Sequence, residues 1–101
     1  ESARIYAYQA LAACDALKQG EGGRGAIHRL CAGVVLNGSA MIARVTDLAV
    51  QIHGGSGFVW ETEVNRHYRN ARIASLGGGT TEMRKIIIAE ELFRARGLRP
   101  D

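Results

Sequence analysis

The sequence predicts an all-α fold, an antiparallel helical bundle, on three observations. Apolar residues recur at three- and four-residue steps over long stretches, and most glycines gather in clusters between those stretches. The one proline, Pro100, lies next to the final residue, so nothing inside the chain forbids long helices. With 101 residues the chain is one domain or part of one, and its 47% apolar and 23% charged residues are the balance of a packed globular chain.

From Ala3 to Leu17 an alanine-rich stretch places Ile5, Tyr8, Leu11, Ala12, Ala16 and Leu17 at helical spacing, which predicts the first helix. Glu1 and Ser2 leave almost no room for an N-cap, so the sequence reads as cut inside or just before a helix. Lys18 to Gly25 holds four glycines among charges and predicts a turn. A long second helix follows, with Ile27, Leu30, Cys31, Val34, Val35, Met41, Ile42, Val45, Leu48, Ala49 and Ile52 in phase. Gly33 and Gly38 inside it each cost about 1 kcal/mol against alanine, which predicts close approach of another helix or a ligand at both.

Gly54-Gly55-Ser56-Gly57 ends that helix, and an irregular stretch through Phe58, Val59 and Trp60 is expected after it. A third helix starts near Thr62 with Val64, Tyr68, Ala71 and Ser75 on one face. The triplet Gly77 to Gly79 breaks the chain. A fourth helix then opens at Thr80 or Thr81, good N-cap types, and carries Met83, Ile86, Ile87, Ile88, Leu92 and Phe93 to about Arg96. Three isoleucines in a row point in three directions, which predicts contacts on more than one side of this helix and hence oligomerisation.

The formal charge of +3 is far from the dense basic stripe of a nucleic-acid binder, so no nucleic-acid partner is expected. Arg66, His67, Arg69 and Arg72 either line an anionic site or solvate a helix face. Cys14 and Cys31 lack metal-ligand spacing and lie in apolar surroundings, which argues against a zinc site or a disulfide framework and for a reducing cytoplasm. No apolar run approaches the ~20 residues of a membrane span, and the opening residues do not form a signal peptide.

Two segments could bear on chemistry. Gly77-Gly78-Gly79-Thr80-Thr81-Glu82 sets a glycine turn before a helix, where free amides and the positive dipole end hold a phosphate, although a plain turn with a threonine cap fits the same residues. Gln51-Ile52-His53-Gly54-Gly55 presents an amide and an imidazole at the end of a long helix, the negative end, which offers hydrogen bonds to polar groups but does not attract phosphates. Serine or cysteine triads, H-E-x-x-H and paired carboxylates are missing.

Taken together, Ala49-Val50-Gln51-Ile52-His53-Gly54-Gly55-Ser56-Gly57-Phe58, then Glu61, Val64, Arg66, Tyr68 and Arg69-Asn70-Ala71-Arg72-Ile73, then Gly79-Thr80-Thr81-Glu82-Met83 resemble the C-terminal signature of acyl-CoA dehydrogenases. In that family the pattern runs A-V-Q-I-H-G-G-x-G-Y, a short linker, R-x-x-R-D-A-R-I, then E-G-T-S-E-I and an apolar helix. The resemblance implies that residues 1–101 are part of the C-terminal helical bundle, lacking its first helix, with the family's N-terminal helical and middle β-barrel domains absent. It also implies FAD as cofactor, an acyl-CoA substrate, electron-transfer flavoprotein or a similar acceptor as partner, and a homotetramer built as a dimer of dimers.

By the same resemblance Gln51, Ile52, His53, Gly54 and Gly55 contact FAD held mainly by a neighbouring subunit. Thr80, Thr81 and Glu82 touch the FAD of their own subunit, and the Gly79 backbone lies beside the acyl-CoA. Arg66, Arg69 and Arg72 pair with carboxylates or carbonyls to hold the third helix. The implied reaction is α,β-dehydrogenation of the acyl-CoA thioester, in which a carboxylate takes the α-proton and the β-hydrogen leaves as hydride.

The chain departs from the pattern at Gly78, where many members carry the catalytic glutamate of E-G-T. Either the base comes from an upstream helix outside this chain, as in the isovaleryl and long-chain branches, or the chain belongs to a non-catalytic FAD-binding or structural subunit of a heteromeric assembly. No residue of this chain is expected to be catalytic. Asn70, Phe58 and Glu63 stand where aspartate, tyrosine and proline are usual.

Overall fold

The computed structural model describes residues 1–20 and 23–98. Glu21 and Gly22 of the expected first turn, and the C-terminal Arg99-Pro100-Asp101, lie outside the described residues. Five helices are present, α1 Ser2–Lys18, α2 Arg24–His53, α3 Gly55–Phe58, α4 Glu63–Ile73 and α5 Thr81–Ala95, and among the described residues there is no strand. The all-α expectation is met, with one correction. Part of the stretch read as irregular after α2 is the short helix α3, because Gly54 turns the chain at φ 60 and Gly57 packs so closely that a Cβ there would stand 2.7 Å from the Val50 carbonyl.

At ~1.5 Å rise per residue α2 is about 45 Å long, and it is the spine. Helices α1, α4 and α5 all pack against it and, among the described residues, not against one another. Tyr6 of α1 lies beside Leu36, Asn37 and Ala40, while Leu17 lies beside Ile27 and His28, so α1 runs antiparallel to α2. Thr81 of α5 borders Ala40 and Glu91 borders Gly25, so α5 is antiparallel along the same half of the spine. Helix α4 covers the other half, with Tyr68, Ala71 and Arg72 near Ala43 and Thr46.

Because three helices lean on one, the assembly is a plate of 53 × 30 × 18 Å with a radius of gyration of 17.2 Å, against about 13 Å for a compact chain of this length. Its buried apolar residues are Ala10, Ala32 and Ala71, all small. In α1 the inward face is Tyr6, Ala10, Cys14 and Leu17, and the expected face residues Ile5, Tyr8 and Leu11 look outward, more than half exposed. In α5 the inward face is Arg84, Ile87, Ile88 and Glu91, while Met83, Ile86, Leu92 and Phe93 are exposed. Spacing marked the apolar sides of both helices, and of the residues it picked out Leu17, Ile87 and Ile88 face the spine while most others look outward.

The two glycines inside α2 also differ. A Cβ on Gly33 would lie 2.0 Å from the Tyr6 hydroxyl, as close approach predicts, whereas one on Gly38 would meet nothing within 4 Å. Over an 18-residue window α2 reaches a mean hydropathy of 1.3, long and apolar enough to cross a membrane by composition alone, although Asn37, Ser39 and Thr46 interrupt its apolar residues. Its Ser39 and Thr46 hydroxyls donate to carbonyls of the preceding turn, and three helices pack along it, as on a central bundle helix.

Candidate functional site

Two exposed helix ends hold the residues singled out in the sequence. At the C-terminus of α2, the Gly54 amide donates to the Gln51 carbonyl at 3.1 Å and closes the helix. His53 donates from Nδ1 to the Ala49 carbonyl at 2.8 Å, since a carbonyl can only accept. This fixes the tautomer and leaves Nε2 as an acceptor facing out. Ser56 donates from Oγ to the His53 carbonyl at 2.7 Å. Gln51, Ile52, His53, Gly54 and Gly55 are all exposed, Ile52 at 84%, and a Cβ on Gly54 or Gly55 would meet nothing within 4 Å. The result is a bare strip of backbone with one flat aliphatic side chain, an amide and an imidazole nitrogen. Such a strip fits the edge and face of a planar, heteroatom-rich ring system such as a flavin.

The N-terminus of α5 is built differently. Gly78 and Gly79 take φ 66 and 105, values that fold the chain back sharply into the helix. Thr80 is the N-cap, and its Oγ1 accepts from the Met83 amide at 3.3 Å. The Thr81 amide donates to the Ser75 carbonyl at 3.2 Å, and among the described residues the Glu82 amide has no acceptor. The end therefore offers the Glu82 amide, the Thr81 side chain and the dipole, with the exposed Glu82 carboxylate beside them. These groups fit hydroxyls and amide-like nitrogens of a nucleotide, and the carboxylate opposes a full phosphate charge.

The loop owes its shape to a residue that sequence reasoning passed over. Arg84, only 5% exposed, donates from Nη1 to the Ala74 carbonyl at 3.0 Å and from Nη2 to the Gly77 carbonyl. It ties α5 back to the segment that leads into the glycine turn. Asn65 does the same work at the other corner. Its Nδ2 donates to the Gly57 and Phe58 carbonyls at 3.3 Å each, and its Oδ1 accepts from Arg69 Nε at 2.9 Å. Arg69 in turn stacks on Trp60, 3.6 Å from the ring centroid. The available signal for both was phase: Arg84 is in register with Ile87 and Ile88, and Asn65 sits beside Val64 at the start of α4.

Of the other α4 arginines, Arg66 pairs with Glu63 on its own helix and Arg72 donates to the Ser75 hydroxyl. The basic run therefore forms local contacts that hold the helix and its exit. The two helix ends are not brought together. Thr81 borders Ala40, which at ~1.5 Å per residue is roughly 15 Å along α2 from Gln51. Gly78, at the position of the E-G-T glutamate, has no side chain to accept a proton.

Comparison with known proteins agrees with the signature. The family profile described as acyl-CoA dehydrogenase, C-terminal domain matches residues 1–93. Mitochondrial isovaleryl-CoA dehydrogenase of Solanum tuberosum is 36% identical over 95 residues, covering 93% of this chain and 21% of the relative. Its counterpart in Oryza sativa subsp. japonica is 34% identical over the same shares. The short-chain specific acyl-CoA dehydrogenase of Homo sapiens is 40% identical over 60 residues, 59% of this chain and 15% of the relative. The chain thus spans about a fifth of the length of the curated isovaleryl relatives it matches. A profile match over nearly all its residues, on an all-helical fold with the signature segments at helix ends, shows that the chain belongs to the acyl-CoA dehydrogenase family as its C-terminal domain.

Proposed function

We propose that this chain is the C-terminal segment of an FAD-dependent acyl-CoA dehydrogenase acting on the α,β bond of an acyl-CoA thioester, and that it contributes FAD contacts and oligomer surface. The observation that carries the reading is the pair of exposed, glycine-bounded helix ends, set well apart on one spine, in a chain of this family. Their separation supports two contacts with two cofactors: the α2 end with the FAD of a neighbouring subunit, the α5 end with that of its own.

When bound, FAD supplies a hydride acceptor for the oxidation. Ile52 and the Gly54–Gly55 backbone would hold it at the α2 end, with the Gln51 amide and His53 Nε2 supplying hydrogen bonds. Thr80, Thr81 and the Glu82 amide orient the nucleotide part at the α5 end, and Gly79 leaves room for the thioester. The base that takes the α-proton comes from a segment outside this chain, because Gly78 has no carboxylate.

The outward apolar residues Ile5, Tyr8, Leu11, Ile86 and Phe93 support burial against other domains and subunits, in a tetramer built as a dimer of dimers. Electrons pass on to electron-transfer flavoprotein or a similar acceptor, and the two free thiols support a reducing cytoplasm. Gly78 also favours one second reading, a non-catalytic subunit that binds FAD while a partner carries the base.

The test is the visible absorption spectrum of the native assembly, without oxygen, before and after addition of isovaleryl-CoA and straight-chain acyl-CoAs of several lengths. Flavin bands that bleach with one of them support the dehydrogenase. Bound flavin that never bleaches supports the second reading, and a protein without flavin overturns both.

A further inference from the structure

Cys14 and Cys31 belong to facing helices, and the packing brings them opposite each other. In the antiparallel register of α1 on α2, Tyr6 lies beside Asn37 and Ala40, while Leu17 lies beside Ile27, His28 and Cys31. Cys14 is one turn before Leu17 on the inward face of α1, and Cys31 is one turn after His28 on α2. The register sets the two cysteines on facing turns of the packed helix pair. Both are free, Cys14 half-buried and Cys31 exposed at the rim of an open cavity of about 700 Å³ that also carries Arg24, His28 and Arg94.

The geometry points to a redox-responsive dithiol that reversibly staples α1 to α2 through a Cys14–Cys31 disulfide. The oxidant is a small-molecule disulfide of the glutathione class. The exposed Cys31 thiolate attacks one of its sulfurs, forming a mixed disulfide and releasing one glutathione thiolate. The Cys14 thiolate then attacks the Cys31 sulfur and releases the second. Two cysteines lose two protons and two electrons, and one oxidised glutathione becomes two reduced ones. Arg24 at the cavity rim attracts the anionic oxidant, while Arg94 and His28 on the same rim are engaged by the Glu91 carboxylate.

Desolvation, and then the neighbouring Cys14, raise the Cys31 thiol above its ordinary pKa. The thiolate is therefore scarce at neutral pH, and exchange quickens as pH rises.

The experiment treats the reduced intact protein with oxidised glutathione, blocks remaining thiols with an alkylating agent, and maps the peptides by mass spectrometry. Expected are protection of both cysteines, one cross-linked peptide pair lighter by two hydrogen atoms, and full reversal by dithiothreitol. In Cys14→Ser the Cys31 peptide keeps a glutathione adduct, because no second thiol resolves it. Continued alkylation of both cysteines in the fully treated wild-type protein overturns the proposal. So does a stable adduct on Cys31 with Cys14 present, or a Cys31–Cys31 link between chains.

Discussion

The Tyr6 hydroxyl occupies the space that a side chain on Gly33 would need: a Cβ there would stand 2.0 Å from the oxygen and 2.7 Å from the ring carbon bearing it. Glycine at 33 lets α1 approach α2 closely at this point, and the aromatic ring fills the groove. The two residues form one packing unit, with consequences for both.

In the intact protein Gly33→Ala displaces Tyr6 and lowers stability by about 1–2 kcal/mol despite the better helix propensity of alanine. Once Tyr6 is replaced by alanine, the same Gly33→Ala change becomes stabilising by about 0.5–1 kcal/mol, because only the propensity gain remains. A double-mutant cycle from thermal midpoints checks this, and additive effects would refute the coupling.

Arg84 should be among the most sensitive positions. Arg84→Ala leaves the Ala74 and Gly77 carbonyls without their donors and costs about 2–4 kcal/mol. Arg84→Lys, with a point charge in place of a planar fork, recovers part of that. Flavin content of the purified variants should fall in the same order, since the clamped turn feeds directly into Thr80 and Thr81. Urea unfolding and the flavin-to-protein absorbance ratio measure the two effects.

Thr80→Ala removes the acceptor for the Met83 amide and costs about 1 kcal/mol, while Thr80→Ser keeps it and stays near wild type. Helicity and thermal midpoint provide the readout. An alanine variant as stable as serine would show that the cap is supplied otherwise.

At the other corner, Arg69→Ala removes both the stack on Trp60 and the bond to Asn65. The cost is about 0.5–1 kcal/mol for the stack, and the emission of Trp60 changes with it. Asn65→Asp is a harsher change of the same size. It sets a carboxylate against the Gly57 and Phe58 carbonyls and should cost about 2–3 kcal/mol. Fluorescence difference spectra against a Trp60→Phe control isolate the signal of that one ring.

Much was legible without coordinates. The helices over Ser2–Lys18, Arg24–His53, Glu63–Ile73 and Thr81–Ala95 follow from spacing, glycine clusters and a threonine cap, all of them local signals. The family was legible too, since its signature segments are contiguous runs at helix ends. Helix α3 was missed because a four-residue turn among glycines has no periodicity to read.

Direction was decided only in three dimensions. Helices α1 and α5 each carry apolar residues on more than one side, and spacing marks such sides without saying what each will meet. The side that met α2 was the one with small or polar residues, Ala10 and Cys14 in α1, Arg84 and Glu91 in α5. Glu91 is buried because it accepts from His28 at 3.3 Å and Arg94 at 2.9 Å, and because Gly25 leaves space for it. The same holds for Gly33 against Gly38 and for Cys14 opposite Cys31. Each depends on a residue of another helix: helices, breaks and family signature are local runs of residues, whereas which faces meet is set by packing, because contact between distant segments is a property of the register of two helices and of neither one alone.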